Sequence, residues 1–127
     1  MVPPKSQLPT LLLIADNPAV AHWIRKNLEG RFLLIQAATA ENALQTIRLT
    51  ALDFIILDSN FEESNALSLS HKARQINTVI PIILLTGRLK KTFQEEALKA
   101  GVTDFLNDQL DLDELETRLA TDRKESP

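Results

Sequence analysis

Phe54-Ile55-Ile56-Leu57-Asp58-Ser59-Asn60 sets an uninterrupted apolar run against an abrupt polar end. Two other runs close in the same manner. Leu11-Leu12-Leu13-Ile14-Ala15 stops at Asp16, and Ile82-Ile83-Leu84-Leu85 stops at Thr86-Gly87. Short runs of branched apolar residues without polar alternation mark strands covered on both faces. Each of the three delivers a small polar group at its carboxyl end. In an open parallel sheet flanked by helices, that edge is where ligands and chemistry collect. Asp16, Asp58 and Thr86 are therefore candidate members of one site.

The segments between these runs read as amphipathic helices. Asp16-Asn17-Pro18 starts the first, with Asn17 able to cap it and Pro18 suited to its first position. Val20, Trp23, Ile24 and Leu28 share a face, Trp23 as packing at the core edge, and Gly30 ends the helix. Phe32 to Ala37 reads as a second strand, and Thr39 caps a helix that turns Ala43, Leu44 and Ile47 inward. The polar loop from Asp58 to Asn65 leads to a helix carrying Ala66, Leu69, Ala73 and Ile76 in register. A helix around Phe93–Ala100 ends at Gly101, a left-handed C-cap. Phe105 and Leu106 mark a short fifth strand. Asp111 with Glu114 resembles a capping box opening a last helix on Leu112, Leu115 and Leu119. Five strand–helix units predict an α/β fold, a doubly wound parallel five-stranded sheet with helices on both faces.

The chain has 127 residues, which suits one domain with a single core. The expected division is a disordered lead-in over 1–10, a domain over 11–121, and a charged tail or start of a linker over 122–127. There is no cysteine, so thiol chemistry and cysteine-based metal sites are excluded. A net charge of −3 argues against direct nucleic-acid binding by this domain. No apolar stretch approaches the ~20 residues of a membrane helix, and the first ten residues lack the apolar core of a signal peptide. A cytoplasmic location without membrane contact is expected.

These segments, taken together and in order, resemble the receiver domain of bacterial two-component response regulators. The resemblance runs from about Leu11 to Leu119 on four stretches: Leu12-Leu-Ile-Ala-Asp-Asn-Pro18, Phe54-Ile-Ile-Leu-Asp-Ser-Asn60, Pro81-Ile-Ile-Leu-Leu-Thr-Gly87 and Ala97-Leu-Lys-Ala-Gly-Val-Thr-Asp-Phe105. It implies a flavodoxin-like (βα)5 fold. It also implies a non-enzymatic signalling module in which Asp58 accepts a phosphoryl group from a histidine kinase or phosphotransfer protein. By the same resemblance, Asp16, Asp58 and the backbone carbonyl of Asn60 hold Mg²⁺. Thr86 is the hydroxyl that turns towards the phosphoryl group, and Phe105 is the aromatic that follows it. An output domain, a partner protein or a second copy of the chain would read the changed surface.

The sequence departs from the family pattern in three places. Ala15 stands at the first acidic position, which removes one carboxylate from the cation's surroundings and predicts a weakened Mg²⁺ site. Asp108 and Gln109 stand where the family carries lysine and proline. At ~4 Å two unit charges interact by about 4 kcal/mol at an effective dielectric of about 20, so replacing lysine by Asp108 matters more than losing one acid. In the loop after Asp58, Glu62 and Ala66 replace the usual proline and glycine. Arg88 could return some positive charge.

Plainer readings stand beside these. Asp16 and Asp58 could be turn residues and helix caps, Thr86 a turn residue, Phe105 core, and Arg88 and Asp108 solvated. His22 and His71 read as surface or boundary residues on separate helices. An atypical pseudo-receiver, docking or dimerising without phosphorylation, is the alternative function. A flavin or nucleotide binder on the same architecture is disfavoured, because Asp16-Asn17-Pro18 replaces any Gly-rich loop after the first strand.

Overall fold

The computed structural model of the chain describes residues 8–28, 30–61, 65–87 and 90–106. Along them run β1 (Thr10–Ile14), α1 (Pro18–Leu28), β2 (Leu33–Ala37), α2 (Ala40–Leu49), β3 (Phe54–Asp58), α3 (Ala66–Ile76), β4 (Ile82–Leu85), α4 (Lys91–Lys99) and β5 (Asp104–Leu106). The strands pair in parallel in the order β2-β1-β3-β4-β5. This is the flavodoxin-like arrangement that the family resemblance implied, on the parallel sheet expected from the alternating pattern. From β1 the chain steps outward to β2, then returns across β1 to β3 and continues the other way. Parallel crossovers are right-handed, so the reversal sends the first connecting helix to one face and the next three to the other.

The two cores follow that partition. On one face Leu11, Leu13, Ala15, Phe54, Ile56, Ile83, Leu85 and Leu106 pack with Ala21, Ile24 and Leu28 of α1. On the other, Leu12, Ile14, Ile55, Leu57, Ile82 and Leu84 pack with residues of α2, α3 and α4, among them Ala43, Ile47, Leu69, Ala73 and Ala97. The alternation along each strand follows from the period of two. Complete burial of β1, β3 and β4 past their first residues explains why these strands read as continuous apolar runs.

The local signals hold at several element ends. Asn17 accepts from the Ala19 N–H at 2.9 Å, and Thr39 Oγ1 accepts from the Asn42 N–H at 3.1 Å, each capping its helix. Gly30 and Gly101 adopt φ of 86° and 104°. Asn65 caps α3 through its side chain, accepting from the Ser68 N–H at 3.0 Å.

Other expectations are corrected. The first strand ends at Ile14 rather than Ala15, and the third extends to include Asp58. Trp23 is 37 % exposed and lies off the buried stripe of its helix. The inward stripe of α1 is centred on Ala21, Ile24 and Leu28, and at 100° per residue Trp23 falls about 130° away from it. β2 is an edge strand and not apolar throughout: Leu33 is exposed, and Gln36 interrupts the run. Asp108, Gln109, Arg88 and Glu62 lie outside the described residues. So do the expected last helix, most of the lead-in and the tail.

Candidate functional site

The strand order reverses between β1 and β3, and the carboxyl ends of these neighbours carry Asp16 and Asp58. Ile14 pairs with Leu57, so one further step along both strands brings Ala15 level with Asp58. Adjacent strands lie ~4.8 Å apart, which sets Asp16 and Asp58 at one edge of the switch point. Asp16 is half-buried in the short connection from β1 to α1.

Asp58 is buried, with 2 % of its surface exposed, and a carboxylate in such a place needs hydrogen-bond partners. Its Oδ1 accepts from the Asn60 N–H at 2.9 Å. The surrounding turn is fixed by backbone bonds: the Ser59 N–H donates to the Leu85 carbonyl at 2.9 Å, and the Phe61 N–H to the Asp58 carbonyl at 3.0 Å. Phe61 is buried in the core on the α2–α4 face and anchors the end of that turn. The strand end therefore presents the carboxylate in a set orientation.

Thr86 follows β4 directly and is completely buried. Its N–H donates to the Leu106 carbonyl at 2.8 Å, tying the carboxyl end of β4 to β5. Phe105, on β5, is half-buried and packs against the core on the α2–α4 face. Strand order thus brings Asp16, Asp58, Asn60 and Thr86 to one edge of the sheet, with Phe105 two strands from Asp58. His22 and His71 are exposed on α1 and α3, as expected of surface residues.

Gln36 is a member of this edge to which the sequence assigned no part. Its Nε2 donates to the Ala15 carbonyl at 3.3 Å, and its Oε1 accepts from Arg25 Nη2 at 3.0 Å. The available signal was its polarity within Leu33-Leu34-Ile35-Gln36-Ala37, an otherwise apolar strand. Ala15 itself is fully buried in the α1-side core, so its methyl group supplies packing and no ligand.

The donors available here are the Asp16 and Asp58 carboxylates and the Asn60 carbonyl. All are oxygens, the set that suits a hard divalent cation. Among the described residues no three His, Cys, Asp or Glu side chains form a metal-holding group. No described helix is long and apolar enough to cross a membrane.

Residues 11–120 match the family described as the response regulator receiver domain. The chain belongs to that family. This receiver domain is 29 % identical over 110 residues to the KDP operon transcriptional regulatory protein KdpE of Escherichia coli, covering 86 % of the chain and 48 % of that protein. The chain spans about half the length of such curated relatives. A putative response regulator from Chloroflexus aurantiacus superposes with a TM-score of 0.83 at 27 % identity, over 91 % of this chain and 98 % of that one. The receiver domain of the sensor histidine kinase PA1611 from Pseudomonas aeruginosa, solved with magnesium coordinated in its active-site cleft, has the same fold. It superposes with a TM-score of 0.80 at 24 % identity, over 88 % of this chain and 94 % of that one. Receiver domains are signalling modules of two-component systems, and this one carries that fold and family pattern.

Proposed function

We propose that Asp58 is the phosphoacceptor of this receiver domain, with a histidine kinase or phosphotransfer protein as donor. The observation that carries the reading is the buried carboxylate at the end of β3, at the switch point of the sheet, oriented by the Asn60 N–H. In the transfer, an Asp58 oxygen bonds to phosphorus as the donor's phosphorus–nitrogen bond breaks. The electron pair leaves with the imidazole, which takes up a proton. Asp16, Asp58 and the Asn60 carbonyl would hold Mg²⁺. When bound, the cation supplies positive charge against the phosphoryl oxygens. With Ala15 contributing no ligand, the cation relies on few protein oxygens and its affinity is reduced.

The added group brings up to about two negative charges. Thr86, buried at the end of β4, is the hydroxyl that responds, and Phe105 on β5 carries the response to the surface between α4 and β5. An output domain or partner protein, or a second copy, reads that surface. A cytoplasmic location and no nucleic-acid contact by this domain complete the reading, the latter supported by the net charge of −3.

Acetyl phosphate with Mg²⁺ should add one phosphoryl group to the wild-type chain and none to Asp58→Asn. Asp108 stands at the family's lysine position, so retention of beryllium fluoride should rise in the order wild type, Asp108→Asn, Asp108→Lys. Equal labelling of wild type and Asp58→Asn would move the acceptor elsewhere. One observation, the buried Ala15, favours a second reading: a pseudo-receiver that docks or dimerises without phosphorylation. That reading gains if every variant stays at background.

A further inference from the structure

Asp16 springs from a connection whose backbone is held from two sides. The Ala15 N–H donates to the Ala37 carbonyl at 3.2 Å, extending the β1–β2 ladder past the last strand residue. The Ala15 carbonyl, which shares a peptide plane with the Asp16 nitrogen, accepts from Gln36 Nε2 at 3.3 Å. Gln36 is in turn held by Arg25 Nη2, 3.0 Å from its Oε1. The carboxamide has one possible orientation. Its oxygen faces a guanidinium that only donates, and its nitrogen faces a carbonyl that only accepts. Immediately after Asp16, Asn17 caps α1 with its side chain, fixing the other end of the connection.

We infer that Gln36 and Arg25 are positioning residues for the cation site: together they hold the Ala15–Asp16 peptide plane and thereby aim the Asp16 carboxylate beside Asp58. The inference rests on the proposed role of Asp16 in holding Mg²⁺ and adds the residues that let one carboxylate after β1 serve in place of two. With acids at both 15 and 16, a small rotation of the connection would still leave one in reach. With Ala15 in the core, the direction of Asp16 decides whether the cation is held. Mg²⁺ demands near-ideal octahedral geometry at 2.0–2.1 Å, roughly, so small errors of aim are costly. Gln36 and Arg25 touch neither the cation nor Asp58, and act through Ala15.

The test is Mg²⁺ titration followed by amide chemical shifts, paired with metal-free thermal unfolding. Gln36→Ala should weaken Mg²⁺ binding about ten-fold, the scale typical of residues that orient a metal ligand, while metal-free stability stays near that of wild type. Arg25→Ala should give a smaller loss, since the Gln36–Ala15 bond remains. Gln36→Glu is the decisive variant. It keeps the partner of Arg25 and adds negative charge near a cation, but it sets an acceptor against the Ala15 carbonyl. Weakened binding in Gln36→Glu supports positioning; tightened binding would reduce Gln36 to an electrostatic bystander and overturn the inference. Wild-type affinity in Gln36→Ala overturns it alone and leaves the site standing. Equal response of wild type and Asp16→Asn overturns the role of Asp16 and the inference with it.

Discussion

At position 15 the side chain is a methyl group inside the core on the α1 face, one step along the sheet from the buried carboxylate of Asp58. Placing an aspartate there puts a further charge in a completely covered position, which is costly without a partner. Ala15→Asp should therefore unfold at a lower temperature than wild type in the absence of divalent cations. Mg²⁺ should then recover most of the loss, because a ligand that binds only the folded state stabilises it by mass action. Thermal unfolding with and without Mg²⁺ measures both effects. Equal stability of the two proteins without metal would mean that the position opens readily to water. Asp16, Asp58 and Thr86 were legible in the sequence because each ends an apolar run, and a polar group at such a place must lie at the sheet edge. Gln36 was not. Its bond to Ala15 exists because β2 lies beside β1, and a polar residue in an edge strand reads, in sequence, as a solvated one.

The connection between α3 and α4 shows the same dependence on contacts distant in sequence. Arg74 on α3 donates to the Gly101 carbonyl from Nε at 3.2 Å and Nη2 at 2.6 Å, and to the Asn77 carbonyl from Nη1 at 3.2 Å. It thus satisfies backbone acceptors just beyond the ends of two helices. Burial lowers the guanidinium's pKa below its ordinary value. The unfolded chain then binds that proton more tightly than the folded one, so any pH effect of Arg74 raises stability only as pH climbs towards the unfolded value. Across neutral pH the group stays charged and contributes no slope. Gly101 has φ +104°, and a Cβ built there would lie 2.9 Å from the Arg74 Cβ. Gly30 has φ +86° with nothing within 4 Å. Gly30→Ala should cost about 1 kcal/mol, from left-handed strain alone. Gly101→Ala should cost roughly a further 1–3 kcal/mol, from overpacking against a side chain whose own carbons are in the way. Chemical denaturation of the two variants checks the difference, and equal losses would mean that α3 yields freely at Arg74. The caps Asn17 and Thr39 were readable because their partners lie within three residues. Arg74 was not, because the apolar stripe of α3 identifies its buried face and is silent about a cation at its margin.

Over the whole sheet, β1 and β3 have strand neighbours on both sides and apolar cores on both faces, whereas β2 and β5 are the end strands. Opening a central strand requires disrupting both neighbours, so its amides open with free energies near the global value. In native-state hydrogen exchange, Leu12–Ile14 and Ile55–Leu57 should be the slowest group, with outward-facing amides of β2 and the short β5 exchanging faster. Uniform protection across the five strands would contradict this ranking. The parallel sheet with helices on both faces was legible from the alternation of runs and helices. The exposure of β2 was not, since its sequence is nearly as apolar as that of the central strands, and only strand order makes it an edge. The ranking also has a consequence for timing. The proposed acceptor belongs to the strand expected to open last, while Phe105 belongs to a three-residue strand at the margin. On that ranking, a phosphoryl group at the proposed acceptor would sit on the most static part of the sheet, while the marginal strand that carries Phe105 opens and closes beside it. Such a molecule would keep slow time at its centre and fast time at its rim.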